Sequence, residues 1–204
     1  MNGPLLVGLT GSIGMGKTET TRMFARLGIP TYDADAAVHR LYEPGGAAVD
    51  AIAKEFPGTV YEGRVDRAAL TKALAADATG FKRLEAIVHP LVAREQLKFL
   101  EDNAGADMVV LDIPLLFETG GHARMDAVVV VSAPRHVQRM RVLAREGMTE
   151  EKLDHILSRQ MDNEEKRAKA HFVIETDKGL DHAFGQVKRA VDELRAKRLK
   201  HSDA

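Results

Sequence analysis

The sequence contains no cysteine among its 204 residues, and it has no long apolar run. Without thiols the chain has no disulfide, no thiolate metal ligand and no cysteine nucleophile. A membrane-spanning helix needs about 20 consecutive apolar residues, and no stretch approaches that length. The N-terminal Met-Asn-Gly-Pro also lacks the basic and apolar regions of a secretory signal. These absences favour a cytoplasmic protein without a membrane partner.

An excess of charge of one sign is also missing. The chain has 29 Lys and Arg against 30 Asp and Glu, so its formal net charge is −1. This balance argues against broad binding to nucleic acid. A basic stretch at residues 195–201 is simply explained as a solvated helix end, where positive charge favours the helix dipole. We therefore expect no nucleic-acid partner.

Short apolar runs alternate with helical patterns along the chain, as in a parallel sheet covered by helices. Between the second and third predicted strands the pattern is mostly helical and longer than a crossover requires. The sequence therefore predicts a three-layer α/β fold with a five-stranded parallel sheet and a helical insertion. The predicted strands are residues 5–9, 29–33, 108–113, 127–132 and 172–176.

The helical insertion, residues 34–103, contains segments in which apolar residues recur at helical spacing. Pro90 follows His89 inside the second long segment and predicts a kink or a break in that helix. Because a simple crossover does not need so many residues, we interpret the insertion as a lobe that holds a substrate.

A glycine-rich segment follows the first predicted strand and opens the first predicted helix. It matches G-x-x-x-x-G-K-[ST], the pattern of a phosphate-binding loop or P-loop. Glycines let successive backbone N–H groups surround a phosphate, and the helix N-terminus adds donors and partial positive charge. In this pattern the lysine bridges the β- and γ-phosphates, and the hydroxyl binds Mg²⁺. We predict a nucleoside triphosphate bound by Gly11, Ser12, Ile13, Gly14, Met15, Gly16, Lys17 and Thr18.

Three classes of P-loop protein compete for this sequence. A GTPase needs a guanine-reading N-K-x-D segment, which the chain lacks. An ATPase motor usually needs a longer core and a partner surface. A small-molecule kinase needs a second lobe for the acceptor and mobile arginines that cover the phosphates. The chain offers candidates for both, which favours a kinase.

Two aspartates, Asp33 and Asp35, lie at the end of the second predicted strand. In an open α/β sheet this strand end faces the same crevice as the P-loop. Asp33 could take the proton of an attacking hydroxyl, with Asp35 as a helix N-cap or a second carboxylate. Both could equally serve only to cap the following helix. The pattern leaves the two interpretations open.

Further polar residues follow the third and fourth predicted strands. Gln138, Arg141 and Arg145 are spaced i, i+3 and i+7, which predicts one shared helical face. Such a face could close over a triphosphate, or it could be a solvated helix with Arg–Glu pairs. Asp112 could hold a metal-bound water or act as a turn carboxylate.

Taken together, these motifs resemble the dephospho-coenzyme A kinase family, and the similarity spans nearly the whole chain. Many families share the P-loop, whereas His89-Pro90 and the Pro-Leu-Leu-Phe-Glu run are more specific. The matching segments are GLTGSIGMGKT, DAD at 33–35, GRVDRAAL at 63–70, DIPLLFE at 112–118, and the Gln138, Arg141 and Arg145 spacing that ends at Gln160.

The resemblance implies a P-loop NTPase core, a helical domain for the coenzyme A precursor and a helical lid. It implies transfer of the ATP γ-phosphoryl to the ribose 3′-hydroxyl of dephospho-CoA with Mg²⁺, and we expect no obligate protein partner. The core would comprise residues 1–33, 104–137 and 168–204, the acceptor domain residues 34–103, and the lid residues 138–167.

Individual residues take expected roles from the same resemblance. Asp33 matches the family's base, and Arg141 and Arg145 match its lid arginines. His89 could equally be a helix-packing residue, and Leu115 and Phe117 could line the core or a pocket. The positions expected near the acceptor are Asp35, Arg67, His89, Leu115, Phe117 and Glu118.

The chain departs from the family pattern in two places. Ser12 replaces a glycine and Met15 a small residue, but both positions present mainly backbone, so we expect tolerance. Near the fifth strand His171 replaces Asp and Thr176 replaces Asn. Because this segment is expected near the adenine, Thr176 is a candidate nucleotide contact.

The motifs leave two alternatives to a dephospho-coenzyme A kinase. A shikimate- or nucleotide-type kinase also combines a P-loop, an acidic strand end and an arginine lid, but the insertion and the Pro-Leu-Leu-Phe-Glu run count against it. A regulatory ATP-binding module would use hydrolysis to switch a partner, and would leave the helical lobe and the aspartate pair without a purpose.

Overall fold

The computed structural model describes residues 3–202, with side chains as far as residue 198. The strands among these residues are β1 (Leu5–Thr10), β2 (Thr31–Asp33), β3 (Val60–Tyr61), β4 (Arg64–Val65), β5 (Met108–Asp112), β6 (Ala127–Ser132) and β7 (Phe172–Glu175). The helices are α1 (Lys17–Arg26), α2 (Ala34–Tyr42), α3 (Val49–Glu55), α4 (Arg67–Ala75), α5 (Gly80–Asp102), α6 (Arg135–Leu143), α7 (Glu150–Leu157), α8 (Asn163–Ala168) and α9 (Leu180–Ser202). Of the basic stretch at 195–201, the side chains of residues 199–201 lie outside the described part. Within that part, no helix combines the length and the apolarity needed to cross a membrane.

Five strands form one parallel sheet in the order β2-β5-β1-β6-β7. β1 lies at its centre, where Val7 is opposite Val110 of β5 and Ala127 of β6. Every residue of β5 and β6 is buried, which explains why both sequences are apolar up to their last residue. The predicted five-stranded parallel sheet is therefore confirmed, and its strand ends differ from the prediction by at most two residues.

The chain divides into two units, and the first contains the described residues 3–32 and 103–202. Successive residues of β6 pack into two separate hydrophobic clusters. Val129 packs in a cluster with Phe24 of α1 and Val187 of α9. Its neighbour Val128 packs in a second cluster with Leu116. Because successive side chains of a strand point to opposite faces, both faces of the sheet are covered.

The second unit, residues 33–102, has its own hydrophobic core. Helices α2 to α5 and strand β4 all contribute to it, with side chains that include Leu41, Ile52, Val65, Leu70 and Val88. Apolar positions at helical spacing in the sequence thus become the inner faces of these helices.

The hairpin of β3 and β4 was not predicted from the sequence. Its turn residues Glu62 and Gly63 have φ of 47° and 74°, the left-handed pair typical of a two-residue hairpin turn. Each strand is only two residues long, so no alternating pattern was visible. The Glu-Gly pair between Tyr61 and Arg64 was the available signal.

Helix α5 runs without interruption through Pro90, so of the predicted kink or break, the break is wrong. Proline has no N–H to donate to the carbonyl of Ala86 one turn earlier. Both residues are exposed, so water can hydrogen-bond that carbonyl and the helix continues.

The core of the second unit can be tested with Ile52→Ala. Ile52 has 0% exposure, so its truncation should lower the free energy of unfolding by about 2–5 kcal/mol in urea denaturation. Leu97→Ala, at a position 60% exposed in the same unit, is the matched control and should cost less than about 0.5 kcal/mol. Equal losses in the two variants would contradict the assigned core.

Candidate active site

The P-loop connects the central strand β1 to α1, and its conformation requires glycine at two positions. Gly14 and Gly16 have φ of 78° and 94°, in the left-handed region. A Cβ on Gly14 would lie 2.5 Å from Cγ2 of Val142, and one on Gly16 would lie 3.2 Å from the side chain of Thr176. The spacing of glycines in the sequence therefore reflects both the turn of the loop and the room around it.

Helix α1 begins directly at the end of this loop. Its N-cap, Gly16, supplies no side-chain hydrogen bond to the N–H groups of the first turn. These donors and the positive end of the helix dipole favour an anion at this point. The P-loop is thus built to bind phosphate.

Lys17 is paired with the acidic end of β5. Its Nζ lies 2.5 Å from Oδ1 of Asp112, whose carboxylate is almost fully buried. The other oxygen of Asp112 accepts a hydrogen bond of 2.7 Å from Oγ1 of Thr21, one turn further along α1. Thr21 was not identified from the sequence, although its i+4 spacing from Lys17 was the available signal. The pair brings the predicted phosphate-binding lysine and the predicted metal-site carboxylate together.

The outer side of the P-loop is held by two glutamines. Nε2 of Gln138 donates to the carbonyl of Ile13 at 2.8 Å, and Oε1 of Gln160 accepts from the N–H of Ile13 at 3.1 Å. Ser12, Met15 and both glutamines also line a cavity of about 610 Å³ beside the loop. The predicted lid residue Gln138 therefore contacts the backbone of the P-loop and is itself buried.

Arg141 contacts the segment that follows β7. Its guanidinium donates to Oγ1 of Thr176 at 2.9 Å and to the carbonyl of Thr176 at 2.7 Å. The hydroxyl of Thr176 in turn donates to the carbonyl of Met15 at 2.8 Å. Thr176, predicted as a nucleotide contact, thus links Arg141 to the P-loop.

The expected common face of Gln138, Arg141 and Arg145 is not formed. Helix α6 ends at Leu143, so Arg145 lies beyond the helix, and it is exposed. The i, i+7 spacing predicts a shared face only while the helix continues, and Gly147, with φ of 70°, was the available signal for its early end.

Glu118 is held by a buried cation that the sequence did not single out. Its Oε1 lies 2.9 Å from Nζ of Lys166, a side chain with 0% exposure, and it accepts a 2.8 Å hydrogen bond from the N–H of Met161. Burial raises the pKa of the Glu118 carboxyl, but Lys166 and the Met161 N–H outweigh this effect and bring the pKa below its ordinary value.

The neighbours of Glu118 in the Pro-Leu-Leu-Phe-Glu run differ in burial. Phe117 is buried in the cluster with Leu116, and its ring centroid lies 5.1 Å from that of His122. Leu115 is 40% exposed. Phe117 therefore packs within this cluster, while Leu115 presents an apolar side chain at the surface.

Four further predicted residues belong to the second unit: Asp33, Asp35, Arg67 and His89. Asp33 is the N-cap of α2, and its Oδ1 accepts a 2.9 Å hydrogen bond from the N–H of Ala36. The interpretation of Asp35 as the N-cap is therefore wrong, because Asp35 lies within the first turn. Two residues earlier, Asp33 already supplies the extended backbone that a cap requires.

Arg67 and His89 lie on separate helices of the second unit. The Arg67 guanidinium lies 5.6 Å from the ring centroid of Tyr42. Burial raises the pKa of the Tyr42 hydroxyl, and the positive charge of Arg67 partly offsets that increase. His89 is exposed on α5, which does not fit the alternative of a helix-packing histidine.

A parallel sheet whose central strand leads through a glycine-rich loop into a helix places the chain among the P-loop nucleotide-binding proteins. Comparison with known proteins narrows this class. The family model of dephospho-CoA kinase matches residues 5–182, and the chain belongs to that family.

Individual relatives agree with this assignment. A dephospho-CoA kinase of Mesorhizobium japonicum is 55% identical over 196 residues, which are 95% of this chain and 98% of the relative. The crystal structure of TT1252 from Thermus thermophilus has a TM-score of 0.82 and 35% identity, covering 93% of this chain and 97% of that one. A dephospho-CoA kinase of Campylobacter jejuni shares the fold, with a TM-score of 0.64 and 22% identity over 93% of this chain and 96% of its own.

Lys17→Met tests the ion pair, because it removes the charge that compensates the buried Asp112. We expect a loss of about 1–3 kcal/mol in the free energy of unfolding, less than for a fully buried pair because Lys17 keeps 18% exposure. In urea denaturation, Lys17→Met with Asp112→Asn should recover most of this loss. Equal stability of Lys17→Met and the parent protein would contradict the pairing.

Glu118→Gln tests the second ion pair through its pH dependence. Because the pKa of Glu118 is lowered on folding, its contribution to stability is present above the ordinary value of 4.5 and is lost as the pH falls through the folded-state pKa. The parent protein should therefore exceed Glu118→Gln in free energy of unfolding at neutral pH, and the difference should shrink below about pH 4.5. The exposed Glu146→Gln is the control and should leave the free energy of unfolding at neutral pH within about 0.5 kcal/mol of that of the parent protein. A difference that stays constant down to about pH 3 would refute the assigned pairing.

Proposed function

We propose that this protein is a dephospho-CoA kinase, which transfers the γ-phosphoryl of ATP to the 3′-hydroxyl of the ribose of dephospho-CoA. The product is coenzyme A, and the reaction is the final step of its biosynthesis. The observation that carries the proposal is the P-loop with its Lys17–Asp112 pair, in a chain that is 55% identical over 95% of its length to a protein of that name.

The P-loop and Lys17 would hold the triphosphate. N–H groups of the loop and of the first turn of α1 donate to the β- and γ-phosphates, and the Lys17 ammonium neutralises the charge that moves during transfer. In this assignment, Lys17 would bind the phosphates when ATP is present and would give up part of its contact with Asp112. Most of the rate acceleration then comes from positioning and electrostatics.

Mg²⁺ fits the oxygen donors at the start of α1. Thr18 is exposed at the second position of the helix, and Asp112 ends the adjacent strand. Hydroxyl and carboxylate oxygens suit this ion, which keeps several waters and takes the rest of its ligands from phosphates. We assign Thr18 as a direct ligand and Asp112 as the holder of a metal-bound water. When bound, the ion neutralises charge on the β- and γ-phosphates.

Asp33 is our candidate for the base that accepts the proton of the 3′-hydroxyl. Its Oδ1 caps α2, which fixes the orientation of the carboxylate, and its second oxygen is assigned to the acceptor. It ends a strand of the parallel sheet, and ligands of such sheets bind at the carboxyl ends of the strands.

The proposed roles belong to separate segments of the chain. Residues 34–103 bind the acceptor, residues 138–167 form the lid, and the remaining segments form the nucleotide-binding core. We assign Arg141 and Arg145 to the closing lid. Asp35, Arg67, His89, Leu115, Phe117 and Glu118 are assigned to the acceptor side. We further propose a cytoplasmic enzyme that needs no obligate protein partner.

The first test is ADP release from Mg-ATP in the presence of different acceptors. Dephospho-CoA should stimulate release and yield coenzyme A, whereas shikimate and nucleoside monophosphates should not. Turnover with one of these rival acceptors and none with dephospho-CoA would mean that the proposed acceptor is wrong. The assignment as a P-loop kinase would still hold. ATPase activity that depends on a partner protein would favour a regulatory module.

Asp33→Asn and Asp33→Ser separate the proposed base from the helix cap. Both Asn and Ser cap helices about as well as Asp, but neither can take the proton. The turnover number should fall by roughly 10²–10⁴-fold in both variants, with the Kd for ATP nearly unchanged. Loss of ATP binding with normal turnover at saturation would instead assign Asp33 to the metal site.

A further inference from the structure

Two side chains hold carbonyl groups of the P-loop from outside. Nε2 of Gln138 donates to the carbonyl of Ile13 at 2.8 Å. Oγ1 of Thr176 donates to the carbonyl of Met15, also at 2.8 Å. The Ile13 carbonyl shares its peptide unit with the N–H of Gly14, and the Met15 carbonyl shares its unit with the N–H of Gly16.

In a trans peptide, the carbonyl and the N–H of one unit point in opposite directions. No cis peptide bond occurs among the described residues, so this rule holds for both units. A side chain that holds the carbonyl outward therefore holds the N–H toward the inside of the loop. For a phosphate-binding loop, this is the direction in which the donors are needed.

The direction of the Thr176 hydroxyl is itself determined by Arg141. A guanidinium only donates hydrogen bonds, so the hydroxyl oxygen accepts the 2.9 Å bond from Arg141. Its single proton is then left for another acceptor. The Met15 carbonyl at 2.8 Å is nearer than the alternative, the Ser132 carbonyl at 3.4 Å.

Gln138 is oriented in a comparable way. It is 4% exposed, so its amide is largely shielded from solvent. On the other side of the same residue, Gln160 accepts from the N–H of Ile13 at 3.1 Å, so both polar groups of Ile13 are engaged by glutamines. The backbone at Ile13 is thereby held in one orientation.

We propose that Gln138 and Thr176 are positioning residues that direct the N–H groups of Gly14 and Gly16 toward the β- and γ-phosphates of ATP. They act through the peptide units and do not touch the nucleotide. This inference rests on the proposed binding of ATP by the P-loop. It gives Thr176 a different role from the direct nucleotide contact expected from the sequence.

The test compares the binding of ADP and AMP by isothermal titration calorimetry or by displacement of a fluorescent nucleotide. The two ligands differ in the β-phosphate, which is where the positioned N–H groups act. Thr176→Val removes the hydroxyl at nearly constant shape, and Thr176→Ser restores it. Gln138→Met removes the amide donor. Thr119→Val serves as the matched control, because the Thr119 hydroxyl donates within its own turn, to the Leu115 carbonyl.

We expect Thr176→Val and Gln138→Met each to weaken ADP binding about five- to tenfold, as for the loss of one hydrogen bond, and to change AMP binding less than about twofold. Thr176→Ser and Thr119→Val should bind both ligands like the parent protein. Equal weakening of ADP and AMP by Thr176→Val would show a nucleoside contact and overturn the proposal, as would unchanged ADP binding. If the parent protein did not prefer ADP to AMP, the proposed use of the P-loop would itself fail, a result distinct from failure of the variants.

Discussion

The pairing of Lys17 with Asp112 is the interaction on which the rest of the site depends. It joins the first residue of α1 to the last residue of β5, so a helix end and a strand end meet at one point. Burial of the carboxylate without its cation would lower the stability of the fold. The lysine, in turn, needs a partner when no phosphate is present. Thr21 adds a second hydrogen bond to the same carboxylate. The positive charge of Lys17, which phosphate chemistry needs, is thus held in an ion pair that also stabilises the fold.

The P-loop takes its shape from distant parts of the chain as well as from its own glycines. Ile13 is held by Gln138 and Gln160, which are 125 and 147 residues away in sequence. Met15 is held by Thr176, 161 residues away. Glycines permit the conformation by removing Cβ atoms, but they do not select it among others. The hydrogen bonds select this conformation of the loop. Movement of α6 or of the segment after β7 would therefore change the conformation of the loop directly.

Much of this architecture could be predicted from the sequence, and the limits of prediction have physical causes. The strands were found because burial on both faces makes them unbroken apolar runs, as in β6. The P-loop was found because its pattern is local. Partners such as Lys166 for Glu118 were not, because the pairing depends on the folded chain and leaves no short-range pattern. The expected helical position of Arg145 is wrong because helix length is decided by packing and capping rather than by residue spacing.

The buried pair of Glu118 and Lys166 also limits how this protein can change in evolution. Replacing either residue alone leaves one charge in a site from which water is largely excluded, and the intermediate is less stable than both its ancestor and the doubly substituted chain. The two positions are therefore expected to covary among descendants of this sequence. A neutral pair could be reached only through near-simultaneous substitution or through a background with stability to spare.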